Sequence, residues 1–545
     1  MEVQPFRSRS RSRSRPPSRS SSRKPSLSRT HSANSLTKLS VATAGGSNSS
    51  SNPAVSSAIA GDLEVPNTFG TLDNTLPLDF FKQDILALTK KLYIKKWWKK
   101  LLAPEEMTIT RLSGALTNSI YKIEYPGLPS LLLRVYGKNV DSLIDREAEL
   151  NVLLKLSSKN IGPKLLGTFT NGRFEQFLEG FLPLNRHSIR DEVISQMLAR
   201  RMKDLHYKIE LDEKDINYDD VSMSIIPVCW KLIKKWLKIF KTEYLPIYEK
   251  LNYNLNDVFC MDFADFEDLV SSYYEWVLAK YDNDSTNLKF CHNDTQYGNL
   301  LLNKLFDPKD IVIHDNVIKT TSKAYDNNLA VIDFEYSGPN FPAFDVVNHF
   351  SEWMSDYHHE TKPYYIFEEN YPTQLEMMNF IKSYIEHEFV FPSSKLKVPG
   401  PSSLRSTDLI QYEMKKLYNE CIYWRSAVQI FWFLWGLIQN GLPKPSNPSS
   451  PGRSTKEAGV DGVEYTITTG MEHLDLNGVA PAASDDDDDD VNSGDDFDYL
   501  KYSGQKMRVI LGDLIQLGVI KKSDIDEKHW DQIKWLNVQE FDLTA

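Results

Sequence analysis

Three short stretches of the chain alternate between apolar and polar residues. They are MTITRL (Met107–Leu112), SIYKIEY (Ser119–Tyr125) and SLLLRVY (Ser130–Tyr136), separated by turns that contain Gly or Pro. A period of two predicts antiparallel strands. A helical pattern over Asp141–Leu156 comes next, and then two more strand-like pieces, Leu165–Thr170 and Arg173–Leu178. Beyond them the apolar spacing lengthens to three and four. It predicts helices over Ser188–Tyr207, Val228–Phe240, Asp262–Tyr281, Phe344–Tyr357 and Glu413–Asn440. Upstream, Leu76–Lys100 has helical spacing and a basic end. The pattern predicts an α+β protein with a small antiparallel-sheet lobe, a larger mainly helical lobe and a cleft between them.

Composition sets the borders of that pattern. Residues 1–60 hold hardly any large apolar side chains, so burial there cannot offset chain entropy. A disordered Arg/Ser-rich tail is expected over 1–71, then a helical segment over 72–106, the sheet lobe over 107–180 and the helical lobe over 181–442. Two inserts interrupt the second lobe, at 304–328 and at 443–496. The second is rich in Pro, Ser, Gly and Asp and is expected to be disordered. Residues 497–545 complete the helical lobe. Hydrophobic content of 41% is ample for a large core.

Charge is divided unevenly. Residues 1–40 carry +9, which leaves −20 on the rest of a chain whose net charge is −11. A body this acidic is not expected to bind nucleic acid. RKPS (Arg23–Ser26) suits a basophilic protein kinase. Cys229, Cys260, Cys291 and Cys421 are scattered, with no metal spacing, and read as free thiols in a reducing compartment. The apolar run Ala427–Ile438 is too short to span a bilayer, so no transmembrane segment is expected. The N-terminus has no apolar core of a secretory signal and no amphipathic face of a transit peptide, so the cytoplasm is expected.

The chemistry is concentrated in two stretches, CHNDTQYGNLL (Cys291–Leu301) and LAVIDFEY (Leu329–Tyr336). An Asp on a loop can orient an acceptor hydroxyl and take its proton. An Asn five residues later can turn back to a metal ion, and a second Asp after an apolar strand can bridge that metal to nucleotide phosphates. Asp294, Asn299 and Asp333 fill these positions. His292 reads as a structural residue holding the loop. Glu335 is open to two readings, a second metal contact or loop ordering.

These stretches resemble the choline/ethanolamine kinase family, close to its fungal choline kinases. So do VIDFEYSGPNFPAFDVVNHFSEW (Val331–Trp353), LLLRVYG (Leu131–Gly137), IGPKLLGTF with GRFEQFLEG (Ile161–Gly180) and QIFWFLWGL (Gln429–Leu437). LDNTLPLDFFKQDILAL (Leu72–Leu88) looks like the extra N-terminal region of the fungal members. The resemblance implies a bilobal protein-kinase-like fold that moves the γ-phosphate of ATP, with Mg²⁺, to the hydroxyl of choline or ethanolamine. It implies phosphate contacts from Ser113, Gly114, Thr117, Asn118 and Ser119. Arg134 would grip phosphate oxygens and pair with Glu147, and adenine would dock on backbone near Gln176 and Leu178. A choline pocket would be built from Glu352, Tyr357, Trp432, Trp435 and Tyr502, with Asp294 at its reacting end; the insert upstream leaves Tyr499 as the alternative to Tyr502.

Trp424, Trp432 and Trp435 share a helical stripe that alone would read as core. A quaternary ammonium has no N–H to donate and must be held by charge and ring faces. An ethanolamine pocket would add hydrogen-bond acceptors. That contrast favours choline, with ethanolamine as the secondary substrate. Three alternatives stay in view: an ethanolamine-preferring kinase, a kinase of the aminoglycoside phosphotransferase type, and a catalytically silent scaffold that binds RNA or protein through its tail. Homodimerisation is left open by the sequence.

Overall fold

The computed structural model describes residues 56–60, 63–114, 118–136, 146–159, 161–219, 222–310, 323–388, 393–397, 405–442, 454–458, 464–468 and 497–544. The Arg/Ser tract, the RKPS motif, the turn with Thr117 and most of the acidic insert lie outside the described residues.

The first lobe contains β1 (Ser56–Ala60), β2 (Leu63–Thr68), α1 (Leu78–Lys91), β3 (Thr108–Gly114), β4 (Asn118–Glu124), β5 (Leu131–Tyr136), α2 (Arg146–Ser158), β6 (Leu165–Phe169) and β7 (Gly172–Gln176). Its sheet runs β1-β2-β6-β7-β5-β4-β3. The expectation of disorder through residue 71 is therefore corrected, because β1 and β2 form a hairpin and β2 pairs with β6. That pairing is parallel, so the sheet is mixed at this edge and antiparallel elsewhere. Alternation along β5 buries Leu131, Leu133 and Val135, and Phe81, Ile85 and Leu88 of α1 join the same core.

The helix expected to reach Lys100 stops at Lys91. Leu92, Ile94 and Trp97 are all buried, and their spacings of two and three do not fit one helical face. The chain turns instead through Tyr93 and Lys96, both with positive φ.

The second lobe begins with β8 (Phe181–Pro183), α3 (Glu192–Lys208), β9 (Asn217–Tyr218), β10 (Ile225–Ile226), α4 (Val228–Ile239), α5 (Leu245–Lys250), α6 (Asn256–Phe259) and α7 (Phe263–Leu278). It continues with β11 (Lys289–Cys291), β12 (Leu300–Asn303), β13 (Leu329–Val331), β14 (Gly338–Asn340), α8 (Pro342–Glu352), α9 (Gln374–Glu386), α10 (Ser406–Asn440), the hairpin β15 (Ser454–Ala458) and β16 (Glu464–Thr468), and α11 (Tyr499–Gln516). The hairpin corrects the expectation of disorder throughout 443–496. The insert 304–328 is also not wholly a surface excursion. Asp326 near its end accepts from the buried Arg200 of α3 at 2.5 and 2.8 Å.

At the centre lies α10, packed against α4, α8, α9 and α11. By length and composition it could cross a membrane, although 94% of the apolar window is buried inside the protein. Its apolar surface is thus spent on the core. Close approach of α11 needs small residues, since a Cβ on Gly436 would sit 2.4 Å from Ser503 Oγ. All four cysteines are buried and free.

Candidate active site

Four short strands set two loops side by side. β11 pairs with β14 and β12 with β13, so the loop 292–299 and the segment 332–337 leave adjacent strand ends. The Ile332 amide donates to Asn299 O at 3.0 Å. His292 joins the same two segments through its ring. Nδ1 accepts from the Asp294 amide at 3.2 Å and Nε2–H donates to Ile332 O at 2.9 Å. Burial pushes its pKa down, and the bonds fix a neutral tautomer. The structural reading of His292 fits this geometry.

Asp345, at the start of α8, was not singled out from sequence. Its carboxylate accepts from the His292 amide at 2.7 Å, the Asn293 amide at 2.9 Å and His206 Nε2 at 3.0 Å. Burial would raise this carboxyl, but His206 and His292 outweigh it and hold it below the ordinary range. The buried acid clamps the loop from beneath, and Asn293, in the left-handed region at φ 67°, is held there. A signal was available: an Asp immediately after the run NFPAF, where an apolar helix has no other use for a charge.

Asp294 is buried, and its Oδ2 accepts from Asn299 Nδ2 at 2.9 Å. The same nitrogen reaches Asp294 O at 3.0 Å. With Nδ2 committed to Asp294, the amide's Oδ1 is the atom left for a cation. Burial drives the Asp294 carboxyl well above the carboxylate range, Glu352, Asp333 and Glu335 add to the shift, and the Asn299 bond opposes them. Asp333 is exposed on its strand end with φ 64°, a strained conformation of the kind concentrated at functional sites. Asp294, Asp333 and Glu335 lie near enough to interact, and with Asn299 they offer hard oxygen donors, a set that fits Mg²⁺.

A wall of aromatic rings stands beside these acids. Trp432 and Trp435 of α10 lie 5.5 Å apart, edge to face. Their indole N–H groups are taken by Asn348 Oδ1 at 2.8 Å and Tyr336 OH at 3.0 Å, which leaves the ring faces for contact. Tyr336 also meets Trp432 at 5.5 Å and was missed from sequence. Tyr502 of α11 lies 6.2 Å from Trp435, and Tyr499 lies 5.7 Å from it. Glu352 and Tyr357 act on the Tyr502 phenol. Tyr357 donates to Glu352 Oε2 at 2.8 Å. Glu352 is the last residue of α8, and the helix expected to reach Tyr357 ends there, where Ser355 bridges to Ile366. Glu352 is buried rather than a helix-surface acid, and burial raises its pKa.

Lys506 lies on α11 one turn after Tyr502. It is fully buried, its Nζ sits 5.0 Å from the Tyr502 ring centroid, and it makes no hydrogen bond. Burial lowers its pKa and Glu352 opposes that. It too was missed, because a Lys on a helix reads as surface. Trp424 falls outside the wall. Its ring stacks on Phe341 and its N–H donates to Tyr281, so it is core.

The sheet lobe supplies the remaining candidates. Ser113, Gly114, Asn118 and Ser119 flank the turn of the β3–β4 hairpin, with Gly114 opposite Ser119. Ser119 Oγ accepts from Asn74 at 3.1 Å. Arg134 on β5 was expected to pair with Glu147, whose side chain lies outside the described residues. The acid beside Arg134 is Glu175 of β7, with Nε at 3.8 Å. Burial would raise Glu175, but Arg173 and Arg134 hold it below the ordinary carboxylate range. The Gln176 amide is already bonded to Lys164 O at 2.8 Å, so an adenine would use other backbone groups near Leu178.

Comparison with known proteins agrees with this geometry. Residues 109–510 match the family described as choline/ethanolamine kinase, and residues 56–102 match that described as choline kinase N terminus. The chain belongs to the choline/ethanolamine kinase family. It is 37% identical to a choline kinase of Saccharomyces cerevisiae over 87% of this chain and 82% of that one. It is 35% identical to an ethanolamine kinase of the same yeast, over 83% and 79%. Among solved structures, a choline kinase from Cryptosporidium parvum shares the fold, with a TM-score of 0.50 and 21% identity over 80% of this chain and 97% of that one. The N-terminal match begins at Ser56, where β1 begins.

Proposed function

We propose that the protein is an ATP-dependent choline kinase with secondary activity on ethanolamine. The observation that carries this reading is the convergence of Asp294 and Glu352 with Trp432, Trp435, Tyr336 and Tyr502. An alcohol facing Asp294 and a cationic head facing the rings belong together in one small amino alcohol. The substrate oxygen attacks the γ-phosphorus as the bond to the β–γ bridging oxygen breaks, ADP leaves, and the hydroxyl proton passes to Asp294. An elevated carboxyl pKa suits a group that must take up a proton. Asn299 keeps one Asp294 oxygen occupied, so the other faces the alcohol. Asn299 Oδ1, Asp333 and Glu335 would hold Mg²⁺, which when bound neutralises phosphate charge. Arg134 and the β3–β4 hairpin would hold the phosphates from the other lobe.

Ring faces with their N–H groups spent favour a head group without donors, and Glu352 opposes its charge. The relatives named choline kinase and ethanolamine kinase support both acceptors. We place the protein in the cytoplasm, consistent with four free thiols, and place basophilic kinases on its tail. The test is a transfer assay with labelled ATP against choline and ethanolamine separately. Phosphorylation of both is expected, with the higher kcat/KM for choline. No turnover of either would leave the scaffold reading in its place.

A further inference from the structure

Between Thr89 and Ala103 the chain reads TKKLYIKKWWKKLLA, with six lysines and no acid, in a protein of net charge −11. The catalytic reading makes no use of this segment. Its geometry divides the residues into two sets. Leu92, Ile94, Trp97 and Leu102 are buried in the sheet-lobe core. Trp97 Nε1 donates to Pro129 O at 3.0 Å, and the Ala103 amide donates to the Tyr125 hydroxyl at 3.2 Å. The segment is therefore fixed to the lobe at several points.

The outward set is unusual for a surface. Leu101 is 96% exposed, Tyr93 56% and Trp98 38%. Lys90, Lys91, Lys95, Lys96, Lys99 and Lys100 surround them, all exposed. Tyr93 and Trp98 pack edge to face at 5.3 Å, and Lys99 Nζ sits 5.0 Å from the Trp98 ring. Two non-glycine residues, Tyr93 (φ 51°) and Lys96 (φ 74°), adopt the left-handed conformation that presents this face, a backbone region that disfavours any side chain.

We propose that this platform is a docking surface for an anionic lipid bilayer. Clustered lysines are drawn to acidic head groups. A Trp, a Tyr and an exposed Leu are side chains that partition at the head-group boundary. Nucleic acid would use the lysines and rings but would leave Leu101 without a partner. The proposal stands on the platform alone and does not depend on which alcohol the enzyme phosphorylates.

The test is co-flotation of the full-length chain with vesicles of phosphatidylcholine alone or with about one third phosphatidylserine. Binding is expected to the anionic vesicles only. The basic tail is left intact in every protein compared, so the difference between variants reports the platform. Lys95→Ser, Lys96→Ser, Lys99→Ser and Lys100→Ser together should weaken binding at least about 100-fold, since each lysine near the surface contributes about five-fold. Trp98→Ser with Leu101→Ser should weaken vesicle binding about ten-fold or more while leaving retention on heparin unchanged. Both variants should keep wild-type melting temperature and wild-type kcat in vesicle-free buffer. Undiminished vesicle binding by either variant overturns the proposal. So does equal binding to neutral and anionic vesicles. A Trp98/Leu101 effect on self-association with none on vesicles overturns it in favour of a second copy of the chain. Loss of RNA binding in the lysine variant, with vesicle binding intact, assigns the surface to nucleic acid instead.

Discussion

At the scale of single residues, the proposed site separates groups that would react from groups that would recognise. Asp294→Ala removes the proposed proton acceptor and the partner of Asn299 Nδ2. Turnover should fall by about 10³-fold, within the range for a general base, while nucleotide affinity measured by equilibrium titration changes little. Trp432→Ala removes a ring face, and a desolvated cation–ring contact is worth about 2 kcal/mol. Its choline KM should rise about 30-fold with the ATP KM nearly unchanged; equal shifts in both would make Trp432 packing alone. The proposed reacting residues were legible as candidates in the sequence because the chemistry they would perform sets their spacing. Asp345, Lys506 and Tyr336 were not, since each acts through a neighbour brought from far along the chain. His206 and His292, both bonded to Asp345, lie 139 and 53 residues from it.

Among elements, α10 and α11 are joined by one buried ion pair. Arg425 meets Asp513 through two bonds of 2.8 and 2.7 Å and also donates to Asn537 O. Neither side chain is exposed. Arg425→Met should destabilise the fold by about 3–5 kcal/mol by stranding a buried carboxylate, whereas Arg425→Met with Asp513→Leu should recover most of that loss. Denaturant titration of the single and double variants measures the difference. The strands and most of the long helices were legible from period alone. α9 and α11 were not assigned. In α11 the glycines Gly504 and Gly512 read as breakers, yet a Cβ at Gly512 would lie 2.0 Å from Lys534 O. Close packing selects glycine here against helix propensity. β1 and β2 were hidden for the opposite reason, since they lack a sustained apolar alternation, pair with each other, and join the sheet only through β2 and β6.

Across the whole molecule, stability is coupled to buried neutral histidines. His349 donates from Nδ1 to Thr295 O at 3.1 Å and accepts from Trp353 Nε1 at 3.2 Å. Burial lowers its pKa to about 4. The unfolded chain takes up this proton near pH ~6.5, before the folded one does. The associated stability is therefore complete above that pH and is lost as pH falls toward about 4. The loss from this residue amounts to about 3 kcal/mol at most. His349→Gln should show a shallower fall in unfolding free energy between neutral and mildly acid pH, read by denaturant melts at several pH values. A wild-type slope in the variant would assign the acid sensitivity to other groups.

The aromatic wall and the proposed proton acceptor hang only partly from the same supports. His292 and Asp345 secure the Asp294 loop from inside the second lobe, whereas the rings that greet the head group ride on α10 and α11. Substitutions that keep the Trp432–Asn348 and Trp435–Tyr336 bonds can therefore alter the ring faces while the Asp294 loop stays anchored. In the proposed pocket, exchanging one amino alcohol for another asks for changes at the ring faces and leaves the buried His292–Asp345 clamp in place.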